Sequence, residues 1–453
     1  MMPAILRIRE LGQLGRAQLA VRGSVWVAVE YGGSQVFRLA STLVLARYLL
    51  GPEAFGFVAL VNVFLAGLEM LSDFGVGPNV VQHQRGHEEA FLNTAFMVQA
   101  ARALVLWALA TALAYPFALF YQQPKLFPLA LAAAAGIAVR GFASPAVWAL
   151  NRQVRRGGLT ALTITAEAVG FTVAMVWALA APTAAALVAG ALSNATTYTL
   201  GSYLLPGHRV SRKWDRSAAH AILRFGAWIS VASGTYFLSG QAERLVLGKF
   251  ITPQELGCFS VAVMLATGPS RGLEQLVVQV LFPLIARSAR EEPHRTARYY
   301  TKARLFFLGI SLVMVVGFVG LSRPLVALLL PSQYVMTGWM LQLLGVRAAF
   351  DVFGAPASAL LLAGGLSIYS AAGNVTRLLF IAGGLYVAFS WFGLREAVWV
   401  LAMSPVAIYF PAMVVGIAKH FKGLIKIELA AFLSFILAAG LMGLAWWMTH
   451  GGG

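Results

Sequence analysis

Residues 43–82 read LVLARYLLGPEAFGFVALVNVFLAGLEMLSDFGVGPNVVQ. The stretch holds the end of one apolar helix, a turn, a second apolar helix and a Gly-rich exit. Glycine adds backbone freedom and proline restricts the residue before it, so the chain turns at Gly51–Pro52. Glu53 falls in the first turn of the second helix, where the helix dipole favours an acid. At the other end Asp73, Gly75, Gly77 and Pro78 form a helix-stop signal.

The pattern returns later in the chain. From Leu245 the sequence LVLGKFITPQELGCFSVAVMLATG aligns with the segment from Leu43, matching Pro52 to Pro253 and Gly56 to Gly257. A second anchor pairs PFALFYQQPKLFPLALAAAAG from Pro116 with PLVALLLPSQYVMTGWMLQLLG from Pro324. The motif therefore starts each of two repeats, and Gly51, Pro52, Gly56, Asp73, Gly75, Pro253 and Gly257 are read as hairpin-forming residues rather than ligand contacts.

Composition sets the class. Hydrophobic residues make up 59% of the chain, charged residues 11%, and the mean hydropathy is +0.76. A soluble core needs far less apolar surface, so this is an all-α polytopic membrane protein. The single cysteine, Cys258, excludes an intrachain disulfide and a cysteine-held metal cluster.

A span needs about 20 residues to cross a hydrocarbon layer of roughly 30 Å. Hydrophobic runs of that kind predict helices over 24–47, 54–77, 91–120, 126–150, 158–181, 184–205, 225–248, 255–285, 303–322, 338–363, 368–391, 395–418 and 426–448. Pro324 to Pro331 would either extend the ninth helix or form an interfacial turn. The organisation is then a basic amphipathic segment (1–23), a six-helix bundle (24–205), a linker (206–224), a second six-helix bundle (225–418) and an extra C-terminal helix (426–448). An even number of helices per unit makes the two halves parallel repeats about an axis normal to the membrane.

The net charge of +17 would suggest nucleic acid in a soluble chain. Its placement says otherwise. With the N-terminus inside, the cytoplasmic segments carry most of the Lys and Arg. The opposite loops hold only Arg47, Lys125, Lys249, Arg323 and Arg395. The charge thus belongs to topology and anionic lipid head groups.

The runs ARYLLGPEAFGF and LSDFGVGPNVVQ resemble the first two helices of the polysaccharide transporter family, the O-antigen and exopolysaccharide flippases of the multidrug/oligosaccharidyl-lipid/polysaccharide flippase superfamily. The resemblance is strongest over Arg38 to Gln82. It implies two six-helix bundles in a V and a cavity open alternately to either side. It also implies a polyprenyl-pyrophosphate-linked oligosaccharide as substrate and residence in a bacterial inner membrane. Polysaccharide assembly proteins would be partners, in lipopolysaccharide or exopolysaccharide biosynthesis.

Ionisable residues at membrane depth are the functional candidates, because they are costly unless they pair or line a wet cavity. Glu30, Ser34 and Arg38 recur every four residues of the first helix with Gln35 beside them, a polar stripe suited to a cavity. Arg347 and Asp351 stand four apart and can pair within one helix. Arg271, Glu274 and Gln275 form a further group. A pyrophosphate needs cations that stay charged in a partly dry site, and Arg38, Arg140, Arg271 and Arg377 are the candidates. For Arg244, next to Glu243, snorkelling toward the head groups is expected. Glu30, Glu167 and Glu274 are candidates for coupling transport to H+ or Na+, since burial raises a carboxyl pKa. No other cofactor and no metal is expected.

The chain has no Gly-x-x-x-x-Gly-Lys-Ser/Thr phosphate loop, and His83 and His87 in HQRGHEE read as part of a solvated connection. Two alternatives stay open. A drug or metabolite antiporter of the same superfamily shares the bundles, and a membrane glycan polymerase or ligase shares the helix number. The latter calls for a sizeable outer loop, and no predicted outer loop exceeds about fifteen residues.

Overall fold

In the computed structural model, the described residues are 26, 30, 32–72, 75–153, 156–206, 210–211, 213–291 and 293–450. The amphipathic segment expected over 1–23 and Asp73 lie outside them. The described chain is all-helical: α1 (32–48), α2 (Pro52–Leu71), α3 (Val76–Gln82), α4 (Glu89–Phe120), α5 (Leu126–Gly141), α6 (Ala146–Arg152), α7 (Gly157–Ala180), α8 (Ala184–Ser202), α9 (Arg216–Phe250), α10 (Pro253–Leu276), α11 (Phe282–Glu291), α12 (Pro293–Leu329), α13 (Val335–Ala363), α14 (Ser367–Trp391), α15 (Leu394–Ile408), α16 (Val415–His420) and α17 (Ile425–His450). Two π-helical segments, Val277–Leu281 and Tyr409–Val414, join α10 to α11 and α15 to α16.

Each of the thirteen hydropathy segments holds a helix or a bent or π-linked pair of helices. Among the described residues, α2, α4, α7, α12, α13 and α14 are individually long and apolar enough to cross a membrane, and a seventh span results if α5 and α6, bent by 61°, count as one. Of the others, α9 carries Glu243 and Arg244, and α10 carries Arg271 and Glu274. Val105, Leu179, Val313, Leu328 and Ile368 are largely exposed, as lipid-facing side chains are.

The ninth predicted helix resolves both alternatives at once. Pro324 lies inside α12, which runs on to Leu329, and Pro331 begins a short 3-10 turn, Ser332–Tyr334. Its repeat counterpart Pro116 likewise sits inside the last turns of α4.

Contacts divide the chain into two compact units, Met1–Leu50 with Leu60–Phe237, and Gly51–Ala59 with Leu238–Gly453. In the first unit α7 and α8 cross at Gly170 and Gly190. A methyl on Gly170 would lie 2.7 Å from the Gly190 carbonyl oxygen, and one on Gly190 2.6 Å from that of Gly170. Small residues here let the two backbones approach. Arg102 of α4 donates to the carbonyls of Ser72 and Glu69, each at 2.6 Å, and so caps the end of α2.

The stop signal after α2 differs from expectation. Gly75 adopts φ 54°, and the chain then enters α3 with Gly77 and Pro78 in its first turn. Proline is tolerated there because a first-turn N–H has no intrahelical partner. These two residues start a helix rather than end one. Arg152 Nη1 caps that helix by donating to the carbonyls of Val80, Val81 and His83 at 2.7–2.9 Å.

The connection into α9 is fastened to α4 and the loop before it. Asn93 exchanges hydrogen bonds with Ser211, and the Asp215 amide donates to Thr94 Oγ1 at 2.9 Å. Arg85 pairs with Asp215 at 2.6 Å and with Glu88 at 2.8 Å. Hydrogen bonds from the Ser217 hydroxyl and from Arg85 hold the Asp215 carboxyl well below the usual range. The Arg85 hydrogen bond also lowers Glu88, and both acids raise Arg85.

The second unit buries an aromatic core of Phe350, Phe353, Tyr409 and Phe435. Its α10 begins with a capping box. Thr252 accepts from the Glu255 amide at 3.2 Å, and Glu255 accepts from the Thr252 amide at 2.8 Å, with Pro253 in the first turn. In this unit the two copies of the repeated motif meet, because Gly56 and Gly257 stand against one another.

Candidate functional site

In the first unit the polar stripe of α1 is partly satisfied. Glu30 accepts from Thr160 Oγ1 at 3.2 Å and pairs with Arg156 at 3.4 Å. Ser34 Oγ is buried without a hydrogen-bond partner among the described residues, Gln35 is half-buried, and Arg38 is exposed. Arg140 approaches Asn194 Oδ1 at 3.5 Å and lies 4.6 Å from the centre of the Tyr198 ring, a cation–π contact. It borders a hollow of about 370 Å³ that Glu69, Gln99 and Arg102 also line. Glu167 Oε2 is buried with no hydrogen-bond partner among the described residues.

The second unit holds a further polar site, a cavity of about 570 Å³. Glu274 comes from the end of α10, Asp351 and Ser358 from α13, and Ser370, Asn374 and Arg377 from α14, while Phe350 and Tyr409 supply aromatic wall. Each π-helical segment contributes to the lining, through Val277 and Val278 on one side and Tyr409 and Met413 on the other. A π-bulge turns side chains out of the α register and leaves a deformable point, which is why such segments recur at functional sites. Arg377 Nε and Ser370 Oγ are buried and lack hydrogen-bond partners among the described residues. The cavity lining therefore holds a planar cation, neutral polar groups beside it, and two carboxyls that can hold a cation or a proton.

Of the sequence candidates, Glu274, Asp351 and Arg377 come together here. Arg347 does not. Its expected intrahelical partner was Asp351, but Arg347 turns to Glu243 of α9, with which it forms an ion pair. Glu243 is buried and must be compensated, whereas Asp351 lines the cavity, so the stronger demand takes the guanidinium. Arg244, expected to snorkel, donates to Gln241 at 2.7 Å on its own helix. Arg271 and Gln275 are exposed on α10, and Gln275 accepts from Gln279 at 3.2 Å. Arg38 and Arg140 belong to the first unit, Arg271 and Arg377 to the second.

Sequence reasoning missed the most buried charges. Arg304, which the sequence places at the end of a basic stretch running from Arg287, is fully buried within α12, as is Glu428 of α17, and the two pair at 2.9 Å. Tyr300 and Tyr409 each donate a hydroxyl to Glu428, Arg304 donates to Tyr409 at 2.7 Å and to the Phe353 carbonyl, and its guanidinium lies 3.6 Å from the centre of the Phe353 ring. The one signal in the chain was a single acid beyond the first residues of the apolar run IKIELAAFLSFILAAG.

Comparison with known proteins adds three findings. A family model described as "Polysaccharide biosynthesis protein" matches residues 44–337. The chain is 23% identical over 346 residues to the lipopolysaccharide biosynthesis protein WzxC of Escherichia coli K12, covering 76% of this chain and 70% of that one. It is 23% identical over 343 residues to the succinoglycan biosynthesis transport protein ExoT of Rhizobium meliloti, covering 73% and 66%. Among solved structures, an inward-facing multidrug resistance transporter of the MATE family matches with TM-score 0.66 at 14% identity, covering 88% of this chain and 98% of the other. The lipid II flippase MurJ in an inward closed conformation matches with TM-score 0.62 at 11% identity, covering 94% and 98%. The two structural likenesses are likenesses of fold.

Proposed function

We infer transport from one premise: the chain belongs to the family of polysaccharide biosynthesis proteins. It moves a polyprenyl-pyrophosphate-linked oligosaccharide from the cytoplasmic to the outer leaflet of a bacterial inner membrane, in the service of polysaccharide export. The observation that carries this reading is the second-unit cavity, which Arg377 lines together with Ser358, Ser370 and Asn374 inside a bundle of apolar helices. An arginine stays charged in a partly dry site and matches phosphate oxygens with a fixed fork of donors. The neutral groups suit sugar hydroxyls.

In the proposed cycle the head group enters a polar cavity while the prenyl chain stays in lipid, and the cavity is exposed in turn on each side. The polar head thereby avoids hydrocarbon, where unsatisfied hydrogen-bonding groups cost several kcal/mol, about 2–7 each. We place the N-terminus and the basic connections in the cytoplasm. The bundles are 24–205 and 225–418, joined by 206–224, with 426–448 as a thirteenth span. Arg38, Arg140 and Arg271 assist Arg377 along the head-group path. Glu30, Glu167 and Glu274 are the coupling candidates for H+ or Na+. Polysaccharide assembly proteins take up the exported product.

The test is purified protein in sealed vesicles with a labelled polyprenyl-pyrophosphate-linked oligosaccharide, scored for transfer between leaflets. Transfer that depends on Arg377 supports the reading, and no transfer above protein-free vesicles overturns it. One observation favours a second reading: Glu274 and Asp351 give the cavity two acids against one arginine, a balance that suits a cationic metabolite or drug. Gradient-driven export of an organic cation by the same vesicles, without lipid transfer, would select that reading.

A further inference from the structure

Glu428 and Arg304 are fully buried in a part of the chain that touches no proposed ligand group, yet the pair grips a residue of the cavity wall. Tyr409 stands between the two. Its hydroxyl donates to Glu428 Oε1 and accepts from Arg304 Nη2 at 2.7 Å, and its ring stacks on Phe432 of α17, centres 5.2 Å apart and planes 15° apart. Phe350, another aromatic of the wall, meets Phe435 of α17 edge to face at 5.1 Å. Glu428, Phe432 and Phe435 follow one another at helical spacing, so one face of α17 supplies the charged anchor and both backing rings. Tyr409 is also the first residue of the second π-helical segment, where the backbone leaves the α register and side-chain directions are set by local anchors.

We propose that the Arg304–Glu428 pair is a latch through which α17 positions Tyr409, and with it the π-helical wall of the cavity, so that the thirteenth helix is an obligate part of the transport site. The inference rests on the transport reading above. It also explains why a fully desolvated ion pair occurs here. An apolar pair of similar size would hold α17 as well or better, but it could not fix a phenolic hydroxyl from two sides. Tyr409 and Glu428 act as positioning residues.

The experiment uses the full chain in vesicles with Cys258→Ala, which removes the one native thiol, and Ala355→Cys, which puts a thiol in the cavity lining at a position with no proposed ligand role. Two further variants separate folding from positioning. Tyr409→Phe keeps the stack on Phe432 and removes only the hydroxyl. Arg304→Met with Glu428→Leu replaces the latch by apolar groups and leaves no buried charge unpaired. The expected result is a cooperatively folded protein in both, the double variant carrying only the cost of the Tyr300 and Tyr409 hydroxyls that lose their acceptor. Labelling of the position-355 thiol by a water-soluble maleimide should change about threefold or more, and transfer of the lipid-linked oligosaccharide should slow about tenfold. If both folded variants label and transport like their parent, the latch is structural only and the proposal is wrong. If the double variant does not fold, Tyr409→Phe alone decides between the two outcomes. If the parent itself moves no lipid-linked oligosaccharide, the transport reading fails, while maleimide labelling still decides whether the latch shapes the cavity.

Discussion

Gly56 and Gly257 meet backbone to backbone near the starts of α2 and α10. A methyl on Gly56 would overlap the Pro253 carbonyl oxygen and lie 3.1 Å from the Gly257 nitrogen. A methyl on Gly257 would overlap the Pro52 carbonyl oxygen and lie 3.1 Å from the Gly56 nitrogen. The two copies of the motif are thus one another's packing partners, in a reciprocal contact that leaves no space for a side chain. Gly56→Ala and Gly257→Ala should each destabilise the protein by about 1–3 kcal/mol, as overpacking does. Because both relieve their clash by the same separation, the double variant should cost clearly less than the sum. Thermal or denaturant unfolding of the four members of the cycle in detergent measures this, and strict additivity would show that the contact is not shared.

Glu243, which is buried, and Arg347, which is largely so, are tied by an ion pair, with exposures of 5% and 15%. Glu243→Gln should therefore cost about 3–5 kcal/mol, since it leaves a buried guanidinium without its counter-charge. Glu243→Leu combined with Arg347→Met should recover most of that loss. Asp351→Asn should change stability by no more than about 0.5 kcal/mol, because Asp351 is not the partner. Unfolding midpoints of the three variants separate these outcomes.

Arg377 is expected to act on the ligand rather than on the fold. Arg377→Ala should raise the half-saturating concentration of lipid-linked oligosaccharide about 10- to 100-fold, the equivalent of one or two charge-assisted hydrogen bonds. Arg377→Lys should recover part of this and no more, since an ammonium keeps the charge and loses the fork. Initial rates of leaflet transfer against substrate concentration provide the check. Full recovery by lysine would mean that charge alone is read.

The Arg85–Asp215–Glu88 cluster should respond to acid. Asp215 and Glu88 have carboxyl pKa values lowered by their hydrogen bonds in the folded chain, so the contribution to stability is present above the unfolded carboxylate range. It disappears as pH falls through the folded values. Below about pH 4 the connection into α9 should begin to loosen, and Asp215→Asn should loosen it already at neutral pH. Protease cleavage between α8 and α9 as a function of pH reports this. Cleavage that is independent of pH would show that the cluster does not hold the connection.

Much of this protein is legible in its sequence because the bilayer imposes one rule on every span. A helix must be apolar over most of its length and must satisfy its own backbone, so hydropathy alone locates the helices, and prolines at 52 and 253 mark where two of them begin. Polar partnerships are not legible in that way. Arg347 and Asp351 have ideal intrahelical spacing, yet Arg347 pairs with Glu243 on another helix. Arg304 reads as one more charge in a basic connection, yet it has no exposed surface.

The sequence by itself determined the helical membrane class, the repeat that begins at Leu43 and Leu245, and the family resemblance, because periodicity and transfer free energy are properties of local segments. Only the tertiary structure decided which buried charges are bonded to each other and which face a cavity. A buried ion takes whichever partner best offsets its desolvation, and that partner is selected by distances of a few ångströms across helices far apart in the chain, as Glu428 is from Arg304. It also decided that Gly56 is small because Pro253 and Gly257 are there, where the sequence shows only the same motif twice.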